Sequence, residues 1–178
     1  LTGGNGFEAI DPMVFTDPKS GTTYLYAGGS AGAKLRVFEL DPDRTHLGKE
    51  IPVETPPHFT EGTFMHERGG KYYLSYSSGS TVNASYSVHY AVSETPVGPW
   101  TYEGVILRSD KDHKGPGHHS FLHNPAGGTD FIVYHRWNHQ RGGGPFNASR
   151  QITIDRVDYD ADSHILPVVM TAGNIHLK

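Results

Sequence analysis

The sequence has no cysteine, which excludes disulfides, thiolate metal sites and cysteine nucleophiles while leaving the cellular compartment open. Long apolar runs are missing as well. None approaches the roughly 20 residues that a helix needs to cross a bilayer, and the amino-terminal LTGGNGFEAI has neither a charged leader nor a hydrophobic segment. There is no excess of positive charge. Fifteen Lys and Arg are intermingled with 19 Asp and Glu, for a formal net charge of −4, so no basic stripe follows a phosphate backbone and neither nucleic acid nor membrane is an expected partner. Runs of Ala, Leu, Glu and Lys, the material of helices, are also few.

What is abundant is turn and strand material. Twenty-two glycines, 12 prolines, ten Tyr and eight Phe favour short strands and tight turns, so the chain reads as one all-β domain of 178 residues. PMVF (12 to 15), TYLYAGG (23 to 29), KLRVFEL (34 to 40) and EIPVE (50 to 54) form a first set of four strands. GTFMHER (62 to 68), KYYLSYSS (71 to 78), YSVHYAVS (86 to 93) and WTYEGVIL (100 to 107) form a second. After the polar loop 108 to 117, HHSFLHN (118 to 124), DFIVYHRW (130 to 137), RQITIDRVDYD (150 to 160) and ILPVVMT (165 to 171) form a third.

The three sets repeat. Their second strands align at Leu25, Leu74 and Val133, 49 and 59 residues apart, a period that with four strands per repeat belongs to β-propeller blades. The blades fall at approximately 8–55, 58–107 and 115–173. Asp11, Glu61 and His118 precede the three aligned positions by 14, 13 and 15 residues. Each therefore stands at the entrance to the first strand of its blade. First strands line a propeller's channel, so the three are expected to converge at one end of its axis; a polar residue before a strand is also ordinary turn chemistry, but three in register favour a site. Propellers typically close with 4 to 8 blades. Two amino-terminal blades, a complementary chain or a second copy of this one are expected to complete the ring, since an open arc exposes sheet edges and apolar faces.

Two carboxylates and a histidine at a channel mouth suit glycoside hydrolysis, which uses one protonated carboxylic acid and one ionised carboxylate. Glu61 is the better acid, because Phe59, Phe64 and the tyrosines after them offer partial desolvation. Asp11 is the group expected to stay ionised. Aromatic faces with Asn, Arg and His between them match a sugar's apolar ring face and hydroxyl rim.

AIDPMVFTDPKSGTTYLYAGG resembles the third-blade motif of glycoside hydrolase family 43, and HFTEGTFMHERGGKYYLSYSSGS resembles its general-acid blade. GPGHHSFLHNPAGGTDFIVYHRW and RQITIDRVDYDADSHILPV resemble its last blade and closing strands. The resemblance covers almost the whole chain and implies a five-bladed β-propeller. It also implies an inverting enzyme, of the α-L-arabinofuranosidase, arabinanase or β-xylosidase type, acting on arabinose- or xylose-containing oligosaccharides of plant hemicellulose and pectin. By the same resemblance Glu61 is the general acid, Asp11 orients and tunes it, and His118 is an axial residue associated with a calcium or sodium ion. Arg150 matches an arginine that reaches substrate in some members. His58 is placed at the rim by its position near Glu61.

The family's general base is an aspartate on its first blade, which has no counterpart in this sequence. Asp17, Asp110 and Asp112 are alternatives in turns, where aspartates usually serve as solvated caps. A lone imidazole is a poor ligand for a hard cation, so water would complete the shell. His119, His135 and His139 read as structural or surface histidines, and the Asn83-Ala84-Ser85 and Asn147-Ala148-Ser149 triplets fit a glycosylation pattern. The alternative to an enzyme is a carbohydrate-binding or structural partial propeller without the base.

Overall fold

Glycine and proline punctuation cuts the chain into eleven strands among the residues that the computed structural model describes, 10–29, 32–124 and 128–172. The first sheet runs in chain order through β1 (Met13–Thr16), β2 (Thr23–Gly29), β3 (Lys34–Leu40) and β4 (Leu47–Ile51). The second does the same through β5 (Glu61–Arg68), β6 (Lys71–Ser78), β7 (Ser87–Ser93) and β8 (Thr101–Leu107). In the third, β10 (Thr129–Asn138) lies between β9 (His113–Asn124) and β11 (Gln151–Val157). No described helix is long and apolar enough to cross a membrane.

The chain forms two compact units, Leu1–Ser77 with Tyr90–Gly104, and Ser78–His89 with Val105–Lys178. In the first, Tyr26, Leu35, Val37, Phe59, Met65, Tyr72, Leu74, Tyr76 and Ala91 make the core. Its tyrosines bring polar tips that need partners in an apolar interior. Tyr26 Oη donates to Pro96 O at 2.7 Å, Tyr76 Oη to Pro57 O at 2.7 Å and Tyr72 Oη to Asp17 Oδ1 at 2.6 Å. β6 is buried at every residue from Tyr72 to Ser77, which explains why it is aromatic on both faces rather than alternating.

Three expectations shift for local reasons. β4 ends at Ile51 rather than running to residue 54, because Pro52 has no N–H to give the ladder. β9 begins at His113, inside the stretch read as loop, and its first residues pair with Asn138, Trp137 and His135. The glycines there serve close approach instead of turning the chain. A Cβ on Gly115 would lie 2.5 Å from the Trp137 ring, and one on Gly117 would lie 2.1 Å from Tyr86.

The third difference is the final strand, 165 to 171, which forms no ladder. It is held by the Tyr159–Ile165 bridge, by Leu166 N donating to Asp158 O at 2.9 Å and by Val168 N donating to Ile106 O at 2.8 Å. Pro167 interrupts any continuous pairing, and a buried polar network anchors the segment instead. Thr171 N and Oγ1 donate to Asp155 Oδ1 at 3.1 and 2.6 Å, while Tyr134 Oη donates to Asp155 Oδ2 at 2.6 Å.

Candidate active site

Glu61 is the first residue of β5 and is 6% exposed. Thr60 N donates to Ser77 O at 2.9 Å, and Glu61 pairs in register with Ser77. A register shift then separates Glu61 from Phe64, with Gly62 at φ +64°. A bulge of this kind re-aims a strand's side chain, and glycine adopts the required left-handed backbone without steric cost.

Asp11 meets this bulge. Its Oδ2 accepts the Gly62 N–H at 3.1 Å, so the carboxylate is fixed to the peptide that follows Glu61. Asp11 itself has φ +54°, a conformation Asp tolerates better than most residues. Gly28 holds the two segments in place: its N–H donates to Ile10 O at 3.1 Å, and a Cβ on it would lie 2.8 Å from the Phe59 ring. Phe59 in turn packs on Tyr76 with ring centroids 5.6 Å apart. His58 is exposed, with φ +63° and its ring 5.2 Å from that of Tyr102.

Two of the three turn aspartates, Asp17 and Asp110, are engaged rather than free to act as bases, and Asp112 is exposed. Asp17 is buried at 4% exposure, not the solvated cap its turn position predicts. Burial alone would raise its carboxyl, but Ser20 Oγ, Tyr72 Oη and the Lys19 and Ser20 N–H groups outweigh that and hold it down at about 2. Asp110 accepts from Asp112 N at 2.8 Å and His113 N at 2.7 Å and contacts His113 Nδ1 at 3.0 Å.

The second unit contains His118 and Arg150, which both approach His135. His118 is exposed at φ +47°, its ring 6.4 Å from that of His135. Arg150 Nη1 lies 2.9 Å from His135 Nε2, and its guanidinium sits 5.9 Å from the Trp137 ring centroid. Burial, the Arg150 charge and His118 hold the His135 imidazole down at about 4, neutral at ordinary pH. His135 thus contacts Arg150 as well as the rings of Tyr86, His118 and Trp137. The alternation of β10 carried the signal, since His135 and Trp137 share one face while Tyr134 and Arg136 share the other.

A hard cation takes roughly six to eight oxygen ligands. The ring beside that of His118 is the His135 imidazole, and no set of three or more His, Asp or Glu side chains among the described residues could hold a metal ion. These residues do not fit a cation site built from protein ligands.

Residues 2–165 match the family described as glycosyl hydrolases family 43. A β-D-galactofuranosidase of Aspergillus niger is 34% identical over 96% of this chain and 48% of its own length. A β-xylosidase of Xylanibacter ruminicola is 29% identical over 92% of this chain and 59% of its own length. The solved structure of an α-L-arabinofuranosidase from Clostridium thermocellum superposes with a TM-score of 0.73 at 32% identity, covering 96% of this chain and 56% of that one. The chain thus spans about half the length of the curated relatives it matches. This chain belongs to glycosyl hydrolases family 43, and its three sheets are blades of the β-propeller its structural neighbours share.

Proposed function

We propose that the whole protein is an inverting glycoside hydrolase that releases arabinofuranosyl or xylosyl units from hemicellulose or pectin oligosaccharides. Glu61 is its general acid and Asp11 the residue that orients that acid. The observation that carries this reading is the 3.1 Å bond from Gly62 N–H to Asp11 Oδ2, which ties a second carboxylate to the bulge presenting a buried Glu61. The family and the activities named for its relatives support it, and the Aspergillus relative adds galactofuranosides to the substrates worth testing.

An inverting reaction also needs a base across the sugar, roughly 6.5 to 9.5 Å from the acid. Asp17 and Asp110 are committed to turn hydrogen bonds and Asp112 is an exposed turn residue, which favours a base from outside these 178 residues. It would come from further blades of the same protein, a complementary chain or a second copy. A calcium or sodium ion at His118 enters this reading only as a hydrated ion, with water supplying the oxygens.

The test is hydrolysis of aryl α-L-arabinofuranoside, β-D-xyloside and β-D-galactofuranoside, and of xylobiose and arabinobiose, by the full-length protein and Glu61→Gln. A sugar alkoxide leaves only with a proton from the acid, whereas a nitrophenolate needs little help. Glu61→Gln should therefore lower kcat on the disaccharides by about 10²- to 10⁴-fold, and less on the aryl glycosides. Undiminished disaccharide turnover would remove Glu61 from the mechanism. Sugar binding without turnover on any substrate would make the protein a carbohydrate-binding module.

A further inference from the structure

We infer that His135 is a positioning residue for Arg150: its Nε2 lone pair accepts a guanidinium N–H and thereby aims the remaining donors of Arg150 at the hydroxyls of a bound sugar. This rests on the reading of the protein as a pentosyl- or furanosyl-cleaving hydrolase. Arg150 is exposed and immediately precedes β11, where a free arginine would sample many rotamers. Two restraints oppose that, the 2.9 Å bond to His135 Nε2 and the Trp137 ring 5.9 Å from the guanidinium. Only one of its five N–H donors is used among the described residues, and the rest suit a sugar's vicinal hydroxyls.

His135 is itself held rigidly. It stacks on Tyr86 with centroids 5.8 Å apart and planes 7° from parallel, and it meets Trp137 edge to face at 6.4 Å and 71°. Tyr86 is fully buried, and a Cβ on Gly117 would lie 2.1 Å from its ring, so the platform has no room to shift.

The direction of the bond follows from chemistry. Arginine can only donate, so Nε2 accepts and the ring proton sits on Nδ1. That Nδ1 is buried and has no hydrogen-bond partner among the described residues. An orphaned buried donor is a cost that a space-filling phenylalanine would not carry. Its retention here is explained if Nε2 is needed as an acceptor.

The experiment uses the full-length protein and whichever glycoside it turns over, with Arg150→Ala, His135→Phe, His135→Gln and the double variant Arg150→Ala/His135→Phe. Phe keeps the ring stack and removes the acceptor, and Gln restores an acceptor. Arg150→Ala and His135→Phe should each raise KM about tenfold with kcat little changed, and the double variant should be no worse than either single. His135→Gln should recover most of the loss, with melting temperatures verifying that each variant folds. A normal KM in His135→Phe beside a raised one in Arg150→Ala would overturn the proposal. So would effects that multiply to about a hundredfold in the double variant, which would make the residues independent. A normal KM in Arg150→Ala, with Glu61→Gln inactive, would remove both residues from sugar binding and leave the hydrolase reading intact. If no glycoside is turned over, the same variants are compared by calorimetric affinity for arabinose and xylose. Absence of binding by the unmodified protein would then overturn the proposal and the parent reading together.

Discussion

Asp11, His58 and His118, three of the five residues singled out from the sequence, have left-handed backbones at φ +54°, +63° and +47°. Such conformations cost roughly 1 to 3 kcal/mol each and cluster where function imposes them. At Asp11 the strain coincides with a specific contact, its Oδ2 on the Gly62 N–H. Asparagine accepts this backbone and can still offer an oxygen to that N–H, so Asp11→Asn isolates the charge. It should leave the melting temperature almost unchanged and lower kcat on disaccharides about tenfold to a hundredfold. Asp11→Ala loses the acceptor and the ease with positive φ, so it should also be destabilised by about 1 kcal/mol in urea titration.

Among the elements, the β1–β2 hairpin shows how a turn is tied to the core. Asp17 closes that turn through Lys19 and Ser20 and also receives Tyr72 Oη from β6. Its folded carboxyl titrates at about 2 against an ordinary 3.8. The group therefore stabilises the fold above pH 4, and that contribution, about 2 kcal/mol, is lost as pH falls from about 5 to 2. Urea titrations across this range should show Asp17→Asn less stable at pH 7 by about 1 to 2 kcal/mol and the gap to the unmodified protein closing towards pH 2. A gap that is constant with pH would mean that the carboxylate charge contributes nothing.

For the whole molecule, the question is what its outer strands meet. Ile152 on β11, an edge strand of the third sheet, and Val169 in the closing segment are each 81% exposed. An apolar residue on an unpaired edge invites pairing with another chain. These 178 residues prepared alone are expected to self-associate in a concentration-dependent way in sedimentation velocity. Ile152→Lys should shift the distribution towards monomer while changing stability by no more than about 0.5 kcal/mol. An unmodified chain that is monomeric at all concentrations would show that these edges are protected.

Sequence reading was enough to show that the chain is all-β, that it repeats, and that Glu61 and Asp11 stand at strand entrances, whereas His118, expected at a third entrance, lies inside β9 because pairing with β10 extends that strand back to His113. Periodicity, turn residues and spacing are local properties and survive without knowledge of the fold. It placed Arg150 only by resemblance and gave His135 no role, because the Arg150–His135 bond joins residues 15 apart across a loop. The tertiary structure alone decided that bond, along with the burial of Asp17 and the use of Gly115 and Gly117 for close packing. It also decided that the last expected strand is pinned by Asp155 instead of a ladder. Each depends on which groups meet across strands and loops, and a glycine or an aspartate reads the same in sequence whether it turns the chain or supports a neighbouring ring.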